Sequence, residues 1–198
     1  MQYRKFGKLD SEVSALGFGA MRLPRINGDS SRIDEPEATR MLRYAIEHGV
    51  NYVDTAVHYH GSNSERFLGR ALKNGYREKV KLVTKLFPPH VKEYEDFDKQ
   101  LNLQLSKFQT DHIDIYLLHG INKLWWPRVR DLDVLAWAEK AIEDGRIGHI
   151  GFSYHDDYPL FQEIIDAYDK WAMCMVHYNF VNGVFQAGIR GLTYAASK

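Results

Sequence analysis

Four apolar, strand-like runs in this chain each end in a different reactive side chain. Asn51-Tyr-Val-Asp54 ends in an acid and Val80-Lys-Leu-Val-Thr-Lys85 in a base. His112-Ile-Asp-Ile-Tyr-Leu-Leu-His119 ends in an imidazole, and Ile147-Gly-His-Ile-Gly-Phe-Ser153 in a hydroxyl. Tyr59 follows the first run closely. A tyrosine hydroxyl, with an ordinary pKa of about 10, is a poor acid at neutral pH unless its anion is stabilised. A neighbouring ammonium such as Lys85 would lower that pKa. A carboxylate, Asp54, would orient the lysine and balance its charge. An imidazole, His119, could hydrogen-bond a carbonyl oxygen or relay a proton. Together these groups suit protonation of an oxygen on which negative charge is growing, which is the demand made by hydride delivery to a carbonyl.

Taken singly, each residue has a plainer explanation. Asp54 could cap the turn that follows it. Lys85 could be a solvated charge, Tyr59 rim packing, and His119 a satisfied core residue. Their spacing is what joins them. Positions 54, 85, 119 and 153 lie 31, 34 and 34 residues apart, each interval about the length of one strand–helix–strand unit. A parallel barrel or doubly wound sheet places all such strand ends on one face, so polar residues there converge on a common site.

The elements that must position them read as follows. Tyr3 to Phe6, Gly7-Lys8 and Leu9 to Val13 predict a short N-terminal hairpin that caps the rest. Ala15 to Ala20 is the first core strand. Asp34 to His48 predicts a helix, with Asp34 as cap, Pro36 in the first turn and Gly49 at the stop; Ala38, Met41, Leu42 and Ala45 keep helical spacing. Ser64 to Asn74 is helical, with Glu65 in its first turn. Glu93 to Phe108 carries Phe97, Leu101, Leu105 and Phe108 on one face. Leu132 to Glu143 and Tyr158 to Tyr168 are helices, Ala172 to Phe180 a sixth strand, and Phe185 to Lys198 a last helix. Strands alternating with single helices mean an α/β fold with a parallel sheet. Because the polar ends fall on four consecutive strands, the expectation is a partial (β/α)8 barrel of about six strand–helix units behind a capping hairpin, forming one domain over residues 1–198. A complete barrel runs to ~250 residues, so roughly two units are expected to lie outside this sequence. Open barrel edges would then invite self-association.

Composition narrows the partners. The 26 basic and 26 acidic residues balance, which gives no electrostatic reason to expect nucleic acid or an anionic membrane. No run is apolar enough to span a membrane, and the opening residues lack a secretory core, so a cytoplasmic protein is expected. The lone Cys174 excludes an intrachain disulfide and a cysteine-rich cluster. His58 and His60 flank Tyr59, but alternating residues point apart and no third ligand lies nearby, so no metal is expected. Trp125-Trp126-Pro127, following His119, reads as a loop that either walls a substrate site or is pinned to the barrel.

At the strand-end residues the sequence resembles the aldo-keto reductases. The matching segments are Leu16-Gly-Phe-Gly-Ala-Met-Arg22, Val53-Asp-Thr-Ala56 with Tyr59 and Gly61 to Glu65, Val83-Thr-Lys-Leu86, Asp114-Ile-Tyr-Leu-Leu-His119, and Gly145-Arg-Ile-Gly-His-Ile-Gly-Phe-Ser153. They run in order through essentially the whole chain, and resemble most the bacterial branch that often carries a C-terminal iron–sulfur segment. The resemblance implies a barrel enzyme that reduces small aldehydes or ketones with NADPH or NADH. It implies Tyr59 as general acid, Lys85 and Asp54 as the groups that tune it, and His119 as the group that positions the carbonyl. It also implies Gly19, Met21, Asp54, Ser153 and Met175 as cofactor contacts.

Several positions depart from the pattern. Tyr154 and His155 stand where an asparagine is usual, and Met175 occupies the place of a glutamine that holds the nicotinamide amide; Tyr178 and Asn179 are the nearest substitutes. No iron–sulfur cysteines are present. A non-catalytic, nucleotide-binding or regulatory barrel is therefore the alternative to a reductase.

Overall fold

A computed structural model describes residues 1–198. Strand β1 (Tyr3–Lys5) pairs antiparallel with β2 (Glu12–Ser14), so the hairpin forms with its second strand closer to Ser14 than Leu9 to Val13 predicts. Six parallel strands follow: β3 (Phe18–Gly19), β4 (Tyr52–Asp54), β5 (Lys81–Leu86), β6 (Ile113–Ile121), β7 (Ile147–Tyr154) and β8 (Met173–Val176). They lie side by side in chain order, the order of a (β/α) barrel. Between and after them run α1 (Glu35–Glu47), α2 (Ser64–Ala71), α3 (Glu95–Phe108), α4 (Trp125–Asp131), α5 (Val134–Glu143), α6 (Tyr158–Asp166) and α7 (Gly188–Ala196). The sheet is curled. The Tyr52 hydroxyl on β4 lies 3.6 Å from the Met173 sulfur on β8, whereas four strand spacings in a flat sheet would hold them about 19 Å apart.

Alternation along the strands sorts side chains into two layers. Val53, Leu82, Tyr116, Leu118, Ile150 and Phe152 face outwards into one large core beneath the helices, with Phe67, Phe97, Leu101, Trp137 and Phe161. A smaller inner cluster, Val83, Ile115 and Leu117, fills the barrel interior with Tyr52, Met173 and Met175. Phe6, just past β1, closes this cluster from the strand N-terminal end, its ring set edge-on to Tyr52 at 6.3 Å. That contact is what the N-terminal hairpin contributes. Gly151 belongs to the inner layer, where a Cβ would stand 2.5 Å from the Met173 carbonyl oxygen. Gly69 does the same for the helices: a Cβ there would meet the Lys107 carbonyl oxygen at 2.5 Å, so α2 and α3 touch backbone to side-chain-free backbone.

The helix signals act as expected at α1, where the Asp34 carboxylate accepts from the Glu37 amide and Pro36 occupies the first turn. Its buried face is Ala38, Leu42 and Ile46; Met41 points to solvent. Four other expectations need correction. The first core strand is only Phe18–Gly19, because the chain turns into a 3-10 helix at Ala20–Arg22. Helix α2 stops at Ala71, ahead of a left-handed Asn74-Gly75 turn. Strand β8 ends at Val176, and Phe180 beyond it is 96% exposed. The Trp125-Trp126-Pro127 segment is a helix start, and Trp126 is pinned: its ring is fully buried and its Nε1 donates to Glu163 Oε1 at 3.0 Å.

Candidate active site

The inward-facing positions at the strand C-terminal ends are Asp54, Lys85, His119 and Ser153, each in step with inner-layer residues two positions earlier on its strand. Lys85 is buried and its ammonium donates to Asp54 Oδ1 at 2.9 Å, to Asp54 Oδ2 at 2.8 Å and to the Thr55 carbonyl oxygen at 2.7 Å. An ammonium has three N–H bonds, so all of them are engaged. Burial pushes the Lys85 pKa down against the pull of Asp54, and pushes the Asp54 carboxyl up against the pull of Lys85. The pair is therefore held by its own geometry in surroundings that disfavour each charge alone.

Tyr59 stands over this pair, with Lys85 Nζ 5.1 Å from its ring centroid. The expectation that the ammonium lowers the tyrosine pKa is not met. Burial, followed by the Asp54 charge, raises it to about 12, and the opposing influence comes from Arg22. Lys85 is paired with Asp54, whose opposite charge offsets its pull on the tyrosinate. His119 is edge-on to Tyr59 with centroids 6.2 Å apart. Burial, helped by the Lys85 charge, lowers the His119 pKa to about 3, and its Nδ1 is buried with no hydrogen-bond partner. His119 is thus a neutral imidazole, and its buried Nδ1 has no partner within the protein.

Several neighbours were not apparent from the sequence. His58 stacks on His119 at 4.9 Å and 14°, and Phe87 lies 5.2 Å from His58 and 6.1 Å from His119. These rings make an aromatic rim around Tyr59. His60 turns the other way and is buried. Its Nε2 accepts from the Leu23 amide at 3.2 Å, which leaves Nδ1–H to donate to the Ser30 carbonyl oxygen at 2.9 Å. It clamps the Tyr59 turn to the loop after β3, assisted by Ser64, whose hydroxyl joins Thr55 Oγ1 and the Ala20 carbonyl oxygen. The only advance signal was the polar cluster around Tyr59 itself.

The remaining predicted positions are spread around the mouth. Gly19 is in register with Asp54, and a Cβ on it would meet nothing within 4 Å. Met21 is exposed in the following turn. Ser153 is in register with Met175; its Oγ accepts from the Gly120 amide at 2.7 Å, leaving its own hydrogen free to donate. Met175 packs on the inner cluster. Asn179 uses its Oδ1 locally, on the amides of Val181 and Asn182. No helix is long and apolar enough to cross a membrane, and no three metal-ligating side chains converge.

Residues 15–195 match the profile of the Aldo/keto reductase family. The chain belongs to that family. Methylglyoxal reductase YeaE of Escherichia coli (strain K12) is 30% identical over 182 residues, covering 89% of this aldo/keto reductase chain and 59% of that protein. Among solved structures, the holo form of AKR11C1 from Bacillus halodurans has a TM-score of 0.70 at 30% identity, covering 90% of this chain and 58% of that one. An aldo-keto reductase from Klebsiella pneumoniae in complex with NADPH has a TM-score of 0.70 at 26% identity, covering 88% and 57%. The chain spans about half the length of the curated relatives it matches. The curated relatives include oxidoreductases by name, a methylglyoxal reductase and an L-galactose dehydrogenase, and the parallel-barrel architecture agrees with the family match.

Proposed function

We propose that this chain carries the reducing site of an NAD(P)H-dependent oxidoreductase that converts aldehydes or ketones to alcohols. The observation that supports this most is the Lys85–Asp54 pair, buried under Tyr59 beside a neutral His119 at the strand C-terminal ends. Mere binding of a nucleotide has no use for a buried ammonium beneath a tyrosine. The chain also fits the cofactor: the open face of Gly19 leaves backbone accessible to a flat ring, and the Ser153 hydroxyl has a hydrogen to offer a carboxamide oxygen. Gly19, Met21 and Ser153 would hold the nicotinamide end, with Met175 supplying an apolar base in place of a polar amide partner. When bound, the dinucleotide supplies a hydride.

The protein's own groups then do the rest. His119, neutral, keeps one ring N–H, which can donate to the oxygen of a carbonyl substrate and so orient it. Tyr59 keeps its proton at Oη through the neutral range, because its pKa of about 12 lies well above it, and delivers that proton as charge develops on the substrate oxygen. Lys85 keeps a positive charge near the tyrosinate that results, and Asp54 holds the lysine in place. The aromatic rim of His58 and Phe87 suits a flat, conjugated carbonyl compound.

The test is a spectrophotometric assay of NADPH oxidation with an activated aromatic aldehyde. Turnover that drops by about 10²-fold or more in Tyr59→Phe, with cofactor binding retained, is the expected result. Full turnover in that variant would remove Tyr59 from its role. Binding of NADPH without oxidation, across several carbonyl compounds, would favour a non-catalytic nucleotide-binding barrel instead.

A further inference from the structure

Behind β5, on the side away from the site, a second set of polar groups is sealed between the sheet and helices α2 and α3. Glu65 is completely buried, and Lys107 donates to its Oε2 at 2.7 Å. Thr84 donates to Glu65 Oε1 at 2.8 Å. Gln104 is the hub: its Nε2 approaches Glu65 Oε1 at 2.6 Å, the Lys85 carbonyl oxygen at 3.1 Å and Thr84 Oγ1 at 3.3 Å, while its Oε1 accepts from the Tyr116 hydroxyl. The amide can sit only one way round, since acceptors surround its nitrogen and a donor meets its oxygen.

Stability alone does not account for this arrangement. Replacing a buried ion pair with well-packed apolar side chains is often neutral or stabilising, so an ion pair here points to a demand for specific geometry. The demand is visible in one bond. Of the acceptors around Gln104, one is the backbone carbonyl of Lys85 itself, whose side chain projects from the inner face of the sheet and meets Asp54.

We propose that Gln104 is a positioning residue for the reaction: it fixes the Lys85 peptide from behind the sheet, and the Glu65–Lys107 pair and Tyr116 fix Gln104. A small rotation of that peptide would swing the ammonium, at the end of a four-carbon stem, off Asp54 and away from Tyr59. Displacements of this kind cost rate steeply without needing any loss of binding. The inference rests on the reductase reading for its kinetic consequence and on the hydrogen bonds alone for its structural one.

The test separates the two. In the whole protein, Gln104→Met should lower kcat about tenfold, leave the KM for cofactor and carbonyl substrate within about twofold, and shift the pH dependence of kcat. Tyr116→Phe, which keeps the volume and frees only the amide, should show the same pattern at about threefold. In the same variants, without substrate, the Lys85 ammonium resonance in nitrogen-15 NMR should broaden or move while the Lys107 resonance in Tyr116→Phe stays in place. Should Gln104→Met not fold, Tyr116→Phe carries the test by itself. Unchanged kcat together with an unchanged Lys85 resonance in a folded variant would overturn the proposal. If the wild-type protein reduces no carbonyl compound, the reductase reading fails, and the Lys85 resonance still decides whether Gln104 positions that residue.

Discussion

Two buried lysine–carboxylate pairs flank strand β5 on its opposite sides, alike in length and unlike in access. On the inner side Lys85 meets Asp54 at 2.8 Å; on the outer side Lys107 meets Glu65 at 2.7 Å. The outer pair is closed. Glu65 is 0% exposed and receives Thr84 and Gln104 as well as Lys107. The inner pair opens at one end, since Asp54 keeps 13% of its side chain in solvent at the barrel mouth while Lys85 keeps 1%. The closed pair holds elements together, and the open one holds a charge next to space where a substrate can enter. What separates a structural pair from a reactive one here is access, not bond length.

Removing one lysine from each pair should therefore give opposite phenotypes, and this is the largest effect expected. Lys107→Met strands Glu65 in the core and should cost about 3–5 kcal/mol of stability, the usual range when one partner of a buried pair is lost. The turnover of its remaining folded molecules should fall only modestly. Lys85→Met should cost less stability, because Asp54 reaches water, yet lower turnover by about 10³-fold. Chemical denaturation and steady-state kinetics on the two variants measure both. Equal losses of stability and rate in the two would show that access does not divide them.

His119 extends the contrast to acid. Its folded pKa of about 3 lies below the ordinary 6.5, so between those values the unfolded chain binds a proton that the folded one refuses. The stability from this group is complete above about pH 6.5 and is lost as pH falls towards 3. His119→Gln, neutral throughout, should flatten the fall in melting temperature over that window. It should also change the site's carbonyl handling at neutral pH, where the imidazole is already uncharged. An unaltered acid limb of the stability curve in His119→Gln would assign that limb to other groups.

The sequence made the inner pair legible and hid the outer one, for a physical reason. Asp54 and Lys85 end apolar strand runs at near-regular intervals, and a parallel sheet turns such regularity into proximity. Glu65 and Lys107 sit on helices, where a charge ordinarily marks the solvent face, and Glu65 in the first turn of α2 already has a sufficient explanation in the helix dipole. One trace was available. Gln104 falls inside the apolar stripe of Phe97, Leu101, Leu105 and Phe108, and a polar residue within such a stripe needs a buried partner. The fold's central strands were readable because their alternation is long. The lengths of strands β3 and β8 are not legible, because a two-residue and a four-residue strand carry almost no period. The expectation of a lowered Tyr59 pKa counts the Lys85 charge alone and leaves out the burial and the Asp54 charge that outweigh it.

The His60 clamp should give a smaller effect that bears on how the open side is braced. His60→Ala leaves the buried Leu23 amide without an acceptor, at about 1–3 kcal/mol, and frees the loop that carries Tyr59. The expected readout is faster hydrogen exchange confined to residues of the 20–33 and 56–64 segments, with a decrease in kcat of several-fold. If exchange quickened instead around Gln104 and Glu65, His60 would brace the closed side of β5 rather than the open one.

A third lysine supplies the lower limit of the comparison. Lys99, near the start of α3, bonds Glu93 at 2.8 Å and Asp96 at 2.9 Å, distances close to those of the two buried pairs. Asp96 is held down to about 2, first by the Lys99 hydrogen bond and then by the Lys92 amide. Yet the Lys99 side chain is 62% exposed, so water replaces whatever its removal takes away, and salt screens the attraction that remains. Lys99→Met should move the melting temperature by no more than about 2 °C and leave kcat unchanged. Added salt should erase even that difference, while the Lys107→Met deficit should persist because bulk ions do not reach Glu65. A Lys99→Met loss approaching that of Lys107→Met would mean that hydrogen-bond distance, rather than burial and access, sets the worth of these pairs.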